Sequence, residues 1–135
     1  MATPESIVLS KCKDMLKRLE YAGHVRHWDR LNVGLHMNMQ GYLQRHGKDG
    51  SPDLIAFVPV DRTMWIMFFE VKRADGKGIQ SESQKQFEDK FVCFDNCRYL
   101  IVTDAKQIKQ AVENARKTSP NYGKIPDGVL PEFIG

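Results

Sequence analysis

The sequence predicts an α/β domain with a central mixed β-sheet flanked by α-helices, in the order helix, strand, hairpin, helix, strand, helix. Three observations lead there. Apolar residues recur at helical spacing in three separate stretches, and two strand-forming runs, "DLIAFVPV" and "MWIMFFEVK", are joined by only "DRT". A further apolar run, "CRYLIVTD", separates the last two helical stretches. The 135 residues suit one domain with its own core, of which residues 120–135 form a C-terminal tail.

The first helix opens at Thr3, a hydroxyl cap, followed by Pro4 and the acidic Glu5. Val8, Leu9, Cys12, Met15, Leu16 and Leu19 form its stripe, which stops near Gly23. Helix phase sets Glu5 in the middle of that stripe, so this acid points towards the body of the protein. Residues 24–50 begin as a strand and then lose periodicity while gathering Arg26, Arg30, Arg45 and Lys48. That segment is read as a strand and a mobile basic loop, with Trp28 and Tyr42 as aromatic groups available to a nucleic acid.

The hairpin carries the main geometric expectation. With its turn centred between Asp61 and Arg62, position i pairs with position 123 − i, so Asp53 faces Glu70. Pro59 has no amide hydrogen and belongs at an edge or a bulge, and a bulge would shift this register by one. Glu70 and Lys72, two apart on a strand, share a face. "RADGKGIQ" follows as a basic loop with Arg73 and Lys77, and Ser81 with Gln84 makes a capping box for a helix whose apolar face includes Phe87, Phe91 and Phe94. "CRYLIVTD" reads as a buried strand. Asp104 caps a last helix with the stripe Ile108, Ala111, Val112 and Ala115, ended by Ser119 and Pro120. The tail is read as draping over the body or a partner chain.

Composition narrows the function classes. A hydrophobic fraction of 41% with 27% charged residues, and no apolar run near spanning length, excludes membrane insertion. "MATPESIV" lacks the pattern of a secretory signal, so a cytoplasmic location is expected. Cys12, Cys93 and Cys97 lack a Cys-x-x-Cys pair and are read as small buried apolar residues. His24, His27, His36 and His46 share one segment without a second ligand pair, which argues against zinc. The net charge of +3 hints at a polyanionic partner.

Two carboxylates facing each other at the rim of a core repel and are costly to desolvate. A divalent cation answers both problems, because magnesium takes hard oxygen ligands and holds one or two carboxylates while leaving positions for water and phosphate. Lys72 on the same face can orient or deprotonate a water or balance charge on phosphoryl oxygens. Singly, each group has a plainer role: Asp53 as a turn residue, Glu70 with Lys72 as an edge-strand ion pair, Gln84 as half of a capping box. Together, the hairpin register and the phase of Glu5 favour phosphodiester hydrolysis.

At the level of motif, "GSPDLIAF", "FFEVKRADGKG" and "SESQKQF" resemble the PD-(D/E)xK (restriction-endonuclease-like) superfamily, and within it the stand-alone VRR-NUC nucleases of bacteriophages and bacteria. "RLNVG" is similar to that family's short motif after the first strand, and "TPESIVL" to its opening helix. The resemblance spans roughly residues 3–110. It implies a restriction-endonuclease-like core and an endonuclease dependent on Mg²⁺ or Mn²⁺. Asp53, Glu70 and the main-chain carbonyl of Val71 would hold the metal, with Glu5, or in its place Glu20, as the helix carboxylate. Lys72 would be the catalytic lysine and Gln84 its supporting glutamine. Arg30, Asn32, Arg45, Lys48, Arg73, Lys77 and Ser81 are the expected nucleic-acid contacts. The loop after Lys72 departs from the family's usual Pro-Gly-Gly and is about one residue longer. Branched DNA such as a Holliday junction is the implied substrate, a homodimer the implied state, and the host cytoplasm the implied location if the chain is phage-encoded. The competing expectation is a catalytically silent DNA-binding or assembly protein, or a nuclease subunit that needs a partner.

Overall fold

The computed structural model describes residues 3–31, 34–37, 39–46, 50–76 and 78–123, with the backbone alone for 34–37 and 43–46. Helix α1 (Pro4–Tyr21) starts as its sequence requires, the Thr3 hydroxyl accepting the Ser6 amide at 3.1 Å. Val8, Cys12, Leu16 and Leu19 form its buried stripe. Strand β1 (His27–Arg30) follows, then β2 (Gly34–Met37) and β3 (Leu43–His46), β4 (Leu54–Val60), β5 (Thr63–Val71), α2 (Glu82–Phe91), β6 (Cys97–Val102) and α3 (Ala105–Arg116).

The main sheet has the order β1-β4-β5-β6, antiparallel except for the parallel β5–β6 pair. This is the central mixed sheet, with helices on both faces. Hairpin register is constant from Val60 opposite Thr63 to Leu54 opposite Phe69. No bulge interrupts it, since Pro59 lies beyond the four residues that pair with β1 and its missing amide hydrogen costs no ladder bond there. Asp61 takes a positive φ of 54° in the two-residue turn, and its carboxylate accepts from Ser119 and Asn121, tying the turn to the end of α3.

Alternation along β4 and β5 divides the layers. Leu54, Ala56, Val58, Met67, Phe69 and Val71 join α1 and α3 in one core. The opposite face is covered by α2, whose Phe87 and Phe91 rings pack on Phe68 at 5.1 and 4.8 Å. Glu70 and Lys72 belong to this second face. Among the described residues no helix is long and apolar enough to cross a membrane.

Several expectations change. The segment read as a strand and a basic loop also holds the β2–β3 ribbon, a separate antiparallel pair of four-residue strands that is too short to announce itself by alternation. β6 is an edge strand, not a buried one, with Arg98 and Ile101 exposed. Trp28 packs against the core instead of facing outward. Cys12 and Cys97 are buried as expected, but Cys93 is exposed in the turn after α2, and Phe94 beside it is 55% exposed because the helix ends at Phe91. The tail beyond residue 123 lies outside the described residues.

Phe69, fully buried directly below the strand end that carries Glu70, sets the stability of this frame. Phe69→Ala is expected to lower the unfolding free energy by about 3–5 kcal/mol, measured as a shift of the urea midpoint at unchanged slope.

Candidate metal and phosphate site

The two strands of the hairpin end unequally, and the site grows from that mismatch. β5 continues to Val71 whereas β4 begins only at Leu54, so the Val71 amide has no strand partner on that side. Asp53 fills the gap, its Oδ2 accepting the Val71 N–H at 2.7 Å. The Asp53 carbonyl in turn accepts the Leu31 amide at 2.9 Å, which ties the acid to the end of β1. Continuing the register by one step sets Asp53 opposite Glu70.

Glu70 is 3% exposed and Lys72 9%. The Lys72 amide donates to the Val102 carbonyl at 2.9 Å, so β6 fixes the lysine backbone just past the strand end. Its Nζ lies 3.6 Å from Glu70 Oε1 and donates to Gln84 Oε1 at 3.2 Å. Gln84 is oriented from its own helix: Oε1 also accepts the Ser81 amide at 2.8 Å, while the Ser81 hydroxyl accepts the Gln84 amide at 3.2 Å. The capping box therefore directs Gln84 Nε2 to Glu70 Oε1, at 2.7 Å. Gln84 from α2 and Lys72 from the end of β5 thus meet on one carboxylate oxygen. The other oxygen, Glu70 Oε2, is buried, and among the described residues no N–H or O–H group donates to it; a proton on Glu70 can be shared with the Asp53 carboxylate, which helps keep Asp53 ionised.

Burial and the neighbouring Asp53 charge push the Glu70 carboxyl up to about 8, against the opposing pull of Lys72. Asp53 is also raised, by burial first, although the Val71 N–H favours its ionised form. Glu5 adds repulsion to both acids. It stands exposed in the first turn of α1, at an open groove of about 600 Å³ whose lining includes Thr3, Leu9 and Arg73. Glu20 lies fifteen residues further along the same helix, roughly 22 Å away at 1.5 Å per residue. Glu5 is thus the helix carboxylate whose charge reaches the pair.

A buried carboxyl oxygen to which no described N–H or O–H group donates, beside a second raised acid, is a hard-oxygen donor set that fits a divalent cation. Asp53 and Glu70 are the two side chains present to hold one, with the Val71 carbonyl adjacent in sequence. Among the described residues no group of three or more His, Cys, Asp and Glu side chains is close enough to hold a metal ion, so Glu5 adds charge without completing a three-residue cage.

The expected nucleic-acid contacts are divided. Arg30 and Arg73 are exposed, with Arg73 paired to Asp75 at 2.8 Å. The Ser81 hydroxyl caps α2 and shares a hydrogen bond with Ser83. Arg45 lies on β3, of which the backbone alone is described, and Asn32, Lys48 and Lys77 lie outside the described residues.

Two glycines went unassigned in the sequence. Gly50, at a φ of 82°, approaches α2 so closely that a Cβ would stand 2.2 Å from the Ser83 carbonyl oxygen. Gly78 touches the stem of Lys72, where an added Cβ would lie 2.9 Å from Cδ. Gly50 heads the Gly-Ser-Pro-Asp motif and Gly78 lies six residues after the lysine, but a glycine's absent side chain does not declare what approaches it. Comparison of the chain with protein-family models, with curated proteins and with solved structures returns no match.

The raised Glu70 pKa carries a pH dependence. Between the ordinary value of 4.5 and about 8 the folded protein binds this proton more tightly than the unfolded chain does, so stability falls as pH rises through that window. In chelator, the loss across it is expected to exceed about 1 kcal/mol and to shrink in Glu70→Gln, measured by urea unfolding at a series of pH values.

Proposed function

We propose that this chain is a metal-dependent DNA endonuclease of the VRR-NUC type, within the PD-(D/E)xK superfamily, hydrolysing phosphodiester bonds with Mg²⁺ or Mn²⁺. The observation that carries the reading is the Glu70 carboxyl, buried beside Asp53 with Oε1 held by Gln84 and with no N–H or O–H group of the described residues donating to Oε2. Such a group is expensive to keep unless a cation completes it. The Gly-Ser-Pro-Asp, Glu-Val-Lys and Ser-x-x-Gln series, in that order, supports the same class.

In this reading Asp53, Glu70 and the Val71 carbonyl hold the metal. The bound cation would supply positive charge to the phosphoryl oxygens and polarise a water. Lys72, anchored between Gln84 and Glu70, would orient that water or, as a cation, balance charge that develops on the phosphoryl oxygens. Gln84 keeps Glu70 Oε1 engaged, so Oε2 is the oxygen left to a ligand. Arg73, across the groove from Glu5, and the basic residues of the β2–β3 segment supply backbone contacts to DNA. Recognition by backbone shape is the proposed mode, because basic side chains of this kind suit phosphate contacts. Branched DNA such as a four-way junction is the proposed substrate, and a homodimer acting in the cytoplasm the proposed state, since a two-fold dimer matches a junction that needs two related cuts.

Pure protein incubated with linear duplex, flap and four-way junction DNA tests the proposal. Cleavage that requires Mg²⁺ or Mn²⁺ and favours the junction is expected. No cutting of any substrate would promote the reading of a silent DNA-binding protein or a partner-dependent subunit. Asp53→Ala and Glu70→Ala should each lower the rate by about 100-fold or more while remaining folded by circular dichroism. Lys72→Ala should lose turnover yet still shift DNA in a gel. Neutralising Arg45 and Lys48 together should weaken binding and reduce the slope of log affinity against log salt by roughly 2, measured by fluorescence anisotropy.

A further inference from the structure

We infer that Gly78 is a positioning residue for Lys72: the bare backbone at position 78 packs along the stem of the lysine and leaves it room to reach the acid pair. The inference rests on the catalytic reading of Lys72. Its ground is the close approach of the residue 78 backbone to the stem of Lys72. A Cβ at residue 78 would stand 2.9 Å from Lys72 Cδ, 3.1 Å from its Cβ and 3.3 Å from its Cγ. Carbon atoms settle at about 3.5–4.0 Å, so one methyl group would press on the stem along most of its length.

The lysine has nowhere to withdraw without losing a bond. Its amide is held by the Val102 carbonyl at 2.9 Å, its ammonium by Gln84 Oε1 at 3.2 Å, and its side chain is 11% exposed. Both ends are anchored, so pressure at the middle turns into displacement of the ammonium or of the loop. The contact touches Cβ, Cγ and Cδ, the stiff part of the chain, not the free end that could swing aside. The loop after the lysine thereby acts on Lys72 through the atoms it lacks at residue 78.

Gly78→Ala, made alone and in a Lys72→Ala background, tests this. Three measurements apply: steady-state cleavage, the proton–carbon NMR resonance of Lys72 Cε at fixed pH, and urea unfolding. The single variant should lose on the order of 10-fold in kcat with KM changed less than about twofold, and the Cε resonance should move. The stability loss from Gly78→Ala should be much smaller where Lys72 is already alanine, because the partner atoms are gone. An equal loss in both backgrounds with an unmoved Cε resonance overturns the inference. If Gly78→Ala does not fold, folding of the double variant upholds the contact and failure of both overturns it. A moved resonance with an unchanged rate upholds the positioning contact and overturns the catalytic assignment of Lys72 instead.

Discussion

Glu70 is a carboxyl group held at 3% exposure at the end of a strand whose other face is the hydrophobic core, and the neighbouring elements converge on it. Burial alone would leave it protonated and inert. Asp53 raises its pKa further, while Lys72 draws it down and Gln84 donates to one oxygen. The second oxygen is left without a donor. An apolar core tolerates such an atom poorly, which is why a cation is the natural completion of the site.

The rigidity of the arrangement comes from backbone, not from the side chains that meet. Asp53 closes the end of the β4–β5 ladder by accepting the Val71 amide, Lys72 is fixed through Val102 of β6, and Gln84 through the first turn of α2. A capping box is ordinarily a local device worth about 1 kcal/mol to a helix. Here its glutamine has a second task, because the same Oε1 that accepts the Ser81 amide also receives Lys72, and Nε2 is thereby aimed at Glu70. Gly50 sets the loop before Asp53 against that helix turn with no room for a side chain. The helix that caps itself also orders the face that carries Glu70 and Lys72.

Much of this was legible before folding. The turn at Asp61 and Arg62 between two apolar runs made one register, and the constant pairing from Val60–Thr63 to Leu54–Phe69 keeps it. Ser81 and Gln84 announced α2 by spacing alone. Short or composite features were less readable. The β2–β3 ribbon has four residues per strand, Trp28 packs on the core although basic residues surround it in sequence, and Cys93 and Phe94 follow a helix end that hydrophobicity could not locate. β6 looks like a buried strand because one of its faces and its β5 edge are covered, yet it is the last strand of the sheet.

By itself the sequence determined which side chains share a face: parity along a strand and the span of one hairpin turn are local, so Asp53, Glu70 and Lys72 were committed to one rim before any tertiary contact formed. Only the tertiary structure decided the choice of Glu5 over Glu20 as the third nearby acid, the closure of the ladder by Asp53, and the close approach of Gly78 to Lys72. Those depend on how a helix, a strand end and a loop distant in sequence approach one another. No periodicity records the distance between separate elements.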